Sequence, residues 1–439
     1  MKKLSAGFFL AVISIAAVNI LPAQARGQLN VLSFTDEVER LIDNYFKPAY
    51  PGAQINYKFH PVVEFEDKLD SVLYWGIDAP DVFVLESRIV RKYVESGMLL
   101  DISDIYEANK EKLLAYPAKI GTYNGRVYAM SWKASPGAVF YRRSLARKYL
   151  GTDDPQAVQS YFSSLNKMME TAKRLSYNSG GKCVLTASRS DLFYPFLYAR
   201  KFPWTMKIAR GWLVIDPVME KYMDVCKTLY DNGWEGRVGQ WSGGWFAGMS
   251  DKLVYRSKEL EVFSYFFPAW GLYYVLKTNT PETSGDWAMI PGPVPYWWGG
   301  SWLAAYKNTK NPDLAKEFIR YLTADHGFLE RYAIETGDLV TSIPAIEKIQ
   351  NDFREQFLGG QNHYAVFSRI AGNVNGKLVQ KTDEVIEYFF HDAVNSYVYG
   401  EKTKAQALAI FREQVSVWFA DYGSYARHRH FPPASISGP

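Results

Sequence analysis

The sequence predicts an α/β protein of two large domains, built on sheets with helices packed against their faces. Strand-like and helix-like segments alternate over the first hundred residues after the N-terminal segment, in the order β-α-β-α-β, which is typical of a parallel sheet covered by helices. A chain of 439 residues is also too long for one ordinary hydrophobic core. These two observations fix the fold class before any motif is considered.

The first strand-helix pairs are recognised by their apolar spacing. Residues 28–34 alternate and contain β-branched side chains, and Thr35 can cap a helix that has acidic residues in its first turn. The elements predicted for this part are strands at 28–34, 54–60 and 81–85 and helices at 37–46, 62–74 and 89–94. In such sheets ligands bind where strands lead into helices, which here means residues 34–37 and 86–88.

The remaining elements are predicted with the same rules. Asn124-Gly125 lies between two strand-like runs and indicates a hairpin over 123–130. Residues 131–140 are predicted to be extended, and residues 285–306 are predicted to be strand and loop. Helices are predicted at 141–149, over the whole of 156–232, and at 313–324, 383–399 and 403–422.

Residues 1–25 have the layout of a secretory signal peptide. Two lysines precede an apolar stretch, and Ala23 and Ala25 stand at the positions that signal peptidase recognises, so cleavage after Ala25 is expected. An uncleaved membrane anchor is the alternative. Cleavage leaves 414 residues and predicts a soluble protein in the periplasm of a diderm bacterium. The Pro/Ser-rich residues 423–439 are expected to be a disordered tail.

Charge and cysteine content exclude several function classes. The formal net charge is only +4, which does not favour a nucleic-acid partner. Cys183 and Cys226 are the only cysteines, and in an oxidising compartment they either pair or remain two buried thiols. The spacing of His and Cys predicts no metal site. No phosphate-binding loop or Ser/His/Asp set is present, so we expect no cofactor and no enzymatic activity.

Aromatic residues are the strongest compositional signal, since they make up 16% of the chain. Most must be core, but many stand beside Gly and Pro in stretches that look like loops, where a flat ring suits the apolar face of a sugar. The stretches are 241–246 (WSGGWF), 266–271 (FFPAWG) and 295–300 (PYWWGG).

Several segments together resemble the family 1 extracellular solute-binding proteins of ABC importers, which include the maltose-binding type. Their order and spacing carry the resemblance, from about residue 28 to about residue 422. The segments are 79–83 (APDVF), 93–102 (YVESGMLLDI), 123–130 (YNGRVYAM), 139–145 (VFYRRSL), 285–293 (GDWAMIPGP), 298–304 (WGGSWLA) and 311–319 (NPDLAKEFI). Ser131 departs from the family, whose members often have Pro there.

The resemblance implies a two-lobe periplasmic binding protein fold, with a mainly parallel sheet in each lobe and hinge crossings between the lobes. The crossings are expected near 131–135, 290–293 and 336–342. Residues 26–131 plus 293–338 would form lobe one, and residues 135–290 plus 342–422 would form lobe two. Ligand binding would close the cleft. The resemblance also implies that the ligand is a carbohydrate, that the partner is an ABC permease in the inner membrane, and that the protein is a monomer.

Polar candidates for the ligand site come from the loops and the first crossing. Carboxylates accept several sugar hydroxyls in strong hydrogen bonds. Asp36 and Glu37 follow the first strand, although both also suit a helix N-terminus. Glu86 and Arg88 follow the third strand, where a surface ion pair is the alternative. Trp132 and Lys133 lie in the first crossing, where hinge packing is the alternative.

Aromatic candidates come from the glycine-rich stretches. Trp245 stands beside two glycines, and Trp270 lies where the family places a stacking ring of the second lobe. Trp297, Trp298, Gly299 and Gly300 are the best candidates, because glycines let a ligand approach the backbone. We expect Trp297 or Trp298 to face the cleft.

Two alternatives remain open at this point. The same fold could bind a charged ligand, such as a polyamine, an anion or a phosphorylated polyol, and the acids Asp36, Glu37 and Glu86 leave a polyamine possible. A secreted glycan-active enzyme would need two carboxylates at a set separation, which a sequence does not measure. The aromatic content favours a carbohydrate.

Overall fold

The computed structural model describes residues 27–208 and 211–425. The predicted signal peptide and most of the predicted tail lie outside the described residues, while residues 423–425 belong to the last helix. Among the described residues, no helix has both the length and the apolar character needed to cross a bilayer. The same residues contain no group of His, Cys, Asp and Glu arranged to hold a metal ion.

The first sheet has five strands and contains the predicted β-α-β-α-β unit. Val82–Glu86 lies near its centre, which explains why nearly every residue of that strand is apolar and buried. The three N-terminal strands pair in parallel, and the last two strands in the spatial order run antiparallel to their neighbours. The spatial order is Ala53–Phe59, Gly27–Ser33, Val82–Glu86, Ser301–Ala305 and Ala129–Met130.

The second sheet has six strands and is mainly antiparallel. Its centre is Pro136–Arg142, all of whose residues are buried. Cys183–Thr186 pairs in parallel with Lys258–Pro268, and the other strand pairs described for this sheet are antiparallel. The spatial order is Leu253–Tyr255, Lys258–Pro268, Pro136–Arg142 and Trp287–Ile290, with Tyr296–Trp297 also on Pro136–Arg142. The two-lobe α/β fold is confirmed, but the strand directions are more mixed than predicted.

Helices cover both sheets. Many are short, and the first continues from an α-helical turn through a π-helical turn, Ile42–Phe46, into Lys47–Ala49. The other helices of four or more residues are Val62–Trp75, Val90–Val94, Ser103–Glu107, Ala115–Ile120, Arg143–Leu150, Pro155–Tyr161, Leu165–Asn178, Arg189–Leu192, Phe193–Tyr198, Pro217–Asn232, Gly243–Ala247, Leu272–Lys277, Pro312–Ala324, His326–Thr336, Ile343–Ile349, His363–Ala371, Asp383–Val398 and Lys404–Tyr425. Short two-stranded hairpins join Thr122–Tyr123 to Arg126–Val127 and Thr205–Ile208 to Gly211–Leu213.

Two predictions of local structure were wrong. The stretch around Phe266 and Phe267 is the end of the eleven-residue strand Lys258–Pro268, not a loop, because its aromatic side chains fill the space between sheet and helices. The predicted helical region 156–232 also contains the buried strand Cys183–Thr186. Short, fully buried strands do not alternate, so their pattern resembles that of a buried helix.

Two crossings join the sheets, and a third, residues 337–341, joins helix His326–Thr336 to helix Ile343–Ile349. Residues 131–135 lead from the first sheet to the second, and residues 298–300 lead back. This return crossing lies later than the predicted 290–293, because Tyr296–Trp297 still pairs with Gly137 and Pro136. Residues 337–341 run antiparallel to the first crossing: Ala134 N–H donates to Leu339 at 2.7 Å, and Thr341 N–H donates to Trp132 at 3.1 Å.

A buried ionic network ties these crossings to the first helix. Lys133 Nζ lies 2.6 Å from Glu37 Oε2 and 3.6 Å from Asp338 Oδ2, and the three side chains are 7%, 8% and 2% exposed. Glu37 Oε1 also accepts from Trp132 Nε1 at 3.1 Å and from the Tyr332 hydroxyl at 2.5 Å. The Tyr332 hydroxyl is in addition 2.8 Å from Asp338 Oδ2.

The two buried carboxylates of this network depend on the positive charge of Lys133. Burial by itself would raise the pKa of Glu37, but the charge and hydrogen bonds of Lys133, with the hydrogen bonds from Tyr332 and Trp132, hold that pKa below its ordinary value. Burial raises the pKa of Asp338 despite Lys133. Without Lys133 two carboxylates would remain in a site closed to water.

We therefore expect Lys133→Met to lower the free energy of unfolding by about 3–5 kcal/mol, since it leaves buried charges without a partner. Lys47→Met is the control, because Lys47 pairs with Asp43 on the surface and its loss should change stability by no more than about 0.5 kcal/mol. Urea unfolding followed by tryptophan fluorescence measures both. Equal, small effects in the two variants would contradict this role of Lys133.

Candidate functional site

The return crossing places Trp298 between the two sheets, directly after the strand Tyr296–Trp297 and before Ser301–Ala305. Trp298 N–H donates to the carbonyl of Ser135 in the first crossing at 3.1 Å, and the Trp298 carbonyl accepts from Trp270 Nε1 at 3.0 Å. The Trp298 ring stacks on Tyr194, with centroids 4.9 Å apart and planes 19° apart. One crossing residue therefore joins the hinge to the aromatic side chains of the second lobe.

An aromatic cluster of four rings, Tyr194, Trp241, Trp270 and Trp298, surrounds this position. The Trp241 and Trp270 planes are nearly parallel, 8° apart, with centroids separated by 6.4 Å, and both rings meet Trp298 edge-on at 5.8 and 5.5 Å. Trp241 has φ +68° and is 46% exposed. A non-glycine residue in this conformation indicates local strain, which is common at binding sites.

Glu86 and Arg88 lie beside the return crossing on the first lobe. Glu86 is opposite Ser301 in the sheet, and Ser87 N–H donates to the Gly300 carbonyl at 3.2 Å. Glu86 Oε2 accepts from Arg88 Nε at 2.9 Å. The free end of the guanidinium, Arg88 Nη1, reaches across the cleft to Glu384 Oε1 at 2.7 Å.

An acidic wall is formed by the start of helix Asp383–Val398, with Asp383 and Glu384 in its first turn and Glu387 one turn further on. Burial raises the pKa of Glu387 to about 8 and that of Asp383 to about 7, in spite of the nearby charge of Arg200. The charge of Glu387 acts on the hydroxyls of both Tyr194 and Tyr198. The wall thus faces the aromatic cluster at Tyr194.

Four of the residues predicted from sequence are brought together here. Glu86, Arg88, Trp270 and Trp298 lie around the return crossing, and Trp298 is the half-buried member of the Trp297-Trp298 pair. Trp297 is buried against Tyr198 and Tyr116, with ring centroids 5.2 and 6.1 Å away.

The other predicted side chains have structural partners. Glu37, Trp132 and Lys133 satisfy one another in the hinge network. Asp36 is exposed and pairs with Arg40. Trp245 is fully buried under Trp241 and donates to Asp191 Oδ1 at 3.0 Å. A ligand role for these five residues stays a prediction.

Gly299 and Gly300 are required by the packing of the crossing itself. Both have positive φ, +70° and +119°. A Cβ on Gly299 would lie 2.9 Å from Trp270 Nε1, and one on Gly300 would lie 3.0 Å from the Trp302 ring. The close approach that glycine allows here is therefore made by indole rings of the protein.

Cys183 and Cys226 are free thiols in the structure, so the disulfide alternative is not realised. Cys183 lies on a strand and Cys226 on helix Pro217–Asn232, and both are fully buried in the second-lobe core. Burial raises the pKa of Cys226 to about 12, which keeps the thiol protonated and unreactive.

Sequence reasoning missed Tyr194, Tyr198, Arg200, Glu384 and Glu387. These residues approach the cleft only through packing of two helices that are distant in the chain, and no spacing motif connects them. The one available signal was the acidic start of helix Asp383–Val398, which also suits an ordinary helix N-terminus.

Comparison with known proteins gives the family and the fold. The family model described as bacterial extracellular solute-binding protein matches residues 45–354, well over half of the chain. Among solved structures, a family 1 extracellular solute-binding protein superposes with a TM-score of 0.77 at 18% identity, covering 89% of this chain and 98% of that one.

Two further similar structures have descriptions that mention sugars. The sugar-binding protein MalE from Xanthomonas citri has a TM-score of 0.72 at 16% identity, with 92% of this chain and 100% of that chain covered. The ABC transporter associated binding protein from B. animalis subsp. lactis Bl-04, in complex with beta-1,6-galactobiose, has a TM-score of 0.69 at 21% identity, with 92% and 99% covered.

The buried carboxyl of Asp191 under the aromatic cluster gives a pH test of this geometry. Burial raises its pKa to about 7, although Thr186, Trp245 and Gln240 donate to it. The folded protein keeps this proton up to about pH 7, whereas the unfolded chain loses it near 4, so this group lowers stability as the pH rises from 4 to 7.

We expect Asp191→Asn to lose less stability between pH 5 and pH 7.5 than the wild type, because asparagine does not ionise. Urea unfolding at both pH values measures the difference. Asp43→Asn, at an exposed carboxylate, is the control and should behave like the wild type. The same pH dependence in Asp191→Asn and wild type would show that Asp191 is not held protonated.

Proposed function

Because the chain belongs to the bacterial extracellular solute-binding proteins, which serve ABC transporters, we propose that it captures a carbohydrate in the interlobe cleft and delivers it to an ABC permease. The observation that carries the proposal is the Trp298–Tyr194 stack beside Glu86, Arg88 and Glu384. Aromatic faces pack on the C–H faces of sugar rings, and the charged side chains form hydrogen bonds with the sugar hydroxyls.

The position of this site supports capture by lobe closure. Arg88 of the first lobe pairs with Glu384 of the second, and Lys381 Nζ lies 3.4 Å from Glu95 Oε2, so ion pairs cross the cleft at two points. A sugar held between these walls would contact both lobes and favour the closed arrangement, which is the state a permease must distinguish from the empty one.

The setting of the proposal is the bacterial envelope. We expect removal of residues 1–25 and function of the mature protein as a monomer in the periplasm, with the permease in the inner membrane. The names of several similar structures, which mention galactobiose and MalE, support a sugar as ligand.

A thermal-shift screen of purified mature protein tests the proposal. A carbohydrate that binds only the folded state should raise the melting temperature, and it adds about 2.7 kcal/mol of stability at a hundred times its dissociation constant. Trp298→Ala and Trp270→Ala should abolish the shift, each measured against its own ligand-free melting temperature. Trp75→Ala, at an indole that is 69% exposed and contacts Tyr74, should retain it.

Two outcomes would contradict the proposal. A response only to phosphorylated polyols or other non-sugar compounds would assign a different ligand to the same fold. Release of a shorter glycan after incubation, detected by mass spectrometry, would indicate a glycan-active enzyme instead.

A further inference from the structure

Three buried polar atoms around Tyr198 have no hydrogen-bond partner among the described residues. They are Arg200 Nη1, Trp297 Nε1 and Asp383 Oδ1. Arg200 and Trp297 are only 4% and 3% exposed. The Trp297 ring lies 5.2 Å from that of Tyr198, and the charges of Asp383 and Arg200 act on the Tyr198 hydroxyl. Because buried polar atoms are nearly always paired, these atoms have hydrogen-bonding capacity open to a ligand.

The charge of this subsite is not balanced by the protein. Asp383 and Glu387 lie on one face of their helix, one turn apart, and Arg200 is the described cation whose charge acts most strongly on both. Among the described residues, Glu387 accepts from Trp204 Nε1 alone, at 3.4 Å, which is long for such a bond. Within the part of the chain that the structure describes, neither carboxylate forms an ion pair of its own.

The surrounding charged groups are already engaged. Arg88 bridges Glu86 and Glu384. Arg91 donates to Glu95 and to the carbonyls of residues 120 and 122. Lys92 pairs with Glu66 and Asp70. With both carboxyls ionised, the Asp383–Glu387 face would therefore carry one negative charge more than the positive charge that the described residues supply there.

We propose that this subsite receives a protonated amino group, so that the ligand is an amino sugar or an oligosaccharide that contains one. An ammonium group brings three donors and the missing positive charge to Asp383 Oδ1 and Glu387. The sugar's ring and hydroxyl oxygens supply acceptors for Arg200 Nη1 and Trp297 Nε1. This inference rests on the proposed function and names the chemical class of its ligand.

The energetics agree with this assignment. Burial raises the pKa values of Glu387 to about 8 and of Asp383 to about 7, so an uncompensated second charge is unfavourable in the ligand-free protein. A cation removes that cost, whereas a neutral hydroxyl leaves it in place. Binding of the amine should therefore release a proton and strengthen as the pH rises towards 8. The groups that face Glu387 are Asp383, Glu384, Arg200, Trp204, Tyr194 and Tyr198.

Titration calorimetry with matched sugars tests the proposal. Glucosamine and its β-1,4-linked dimer and trimer are compared, at pH 7, with the N-acetylated forms and with glucose, cellobiose and cellotriose, which differ only in the group at C2. Galactosamine and galactose form a second set. We expect at least one amine form to bind about tenfold or more tightly than its neutral counterparts, the scale of one charge-assisted hydrogen bond.

The variant Glu387→Gln should bring the amine-to-neutral affinity ratio close to one. Asp392→Asn, at an exposed carboxylate of the same helix, is the control and should keep the ratio. Far-ultraviolet circular dichroism and the melting temperature show that both variants are folded. An unchanged ratio in Glu387→Gln would overturn the proposal even if amino sugars bind.

The remaining outcomes separate this inference from the proposed function. Equal or better binding of neutral sugars would overturn the amine assignment and leave carbohydrate capture intact. Binding of putrescine or spermidine in place of every sugar would contradict both, as would no response to any member of either sugar set or of the wider carbohydrate screen.

Discussion

The ion pair between Lys133 and Glu37, with Asp338 as its second acceptor, is the interaction on which the arrangement of this molecule depends. The three residues come from the first helix, the first crossing and the third crossing, so one buried cation fixes three separate chain segments. The short antiparallel contact between residues 132–134 and 339–341 adds backbone hydrogen bonds to the same place. The ionic centre therefore holds together the segments that run between the two lobes.

Polar groups of the hinge and of the cleft differ in how well they are satisfied. Around Lys133, each carboxylate accepts from at least one close donor within the protein. Around Tyr198, buried donors and a buried carboxylate oxygen have no partner in the described chain. Residues of the same chemical types therefore have their hydrogen bonds completed by the protein in one place and left open in the other. The difference lies in their hydrogen bonds and was invisible in the sequence, where Glu37 and Lys133 looked as suitable for a ligand as Glu86.

Local patterns predicted the first lobe well, because its strands and helices follow one another in simple order. The predicted strands at 28–34, 54–60 and 81–85 differ from the observed ones by one residue at each end. Lys258–Pro268 was missed, since its aromatic run ends in Pro268 and is buried on both faces. For the site, strand ends and glycine-rich stretches indicated Glu86, Arg88, Trp270 and Trp298.

Contacts between distant parts of the chain determine which side chains meet at the candidate site, and local sequence patterns do not contain this information. Tyr194 meets Trp298 only because helix Phe193–Tyr198 packs beside the strand Tyr296–Trp297, about a hundred residues later in the chain. Asp36 and Glu37 are neighbours in sequence, yet the helical phase exposes the first and buries the second. Neighbouring residues differ in burial in this way because their Cα–Cβ bonds point in different directions from the helix.

The most direct measurement is a crystal structure of the mature protein with the carbohydrate that raises its melting temperature most. Carbohydrate capture at the return crossing predicts a sugar ring packed on the Trp298–Tyr194 stack, with hydroxyl or amino groups within hydrogen-bond distance of Glu86, Glu384 or Glu387. Electron density for the ligand elsewhere on the protein, with the Trp298–Tyr194 stack left uncovered, would contradict it.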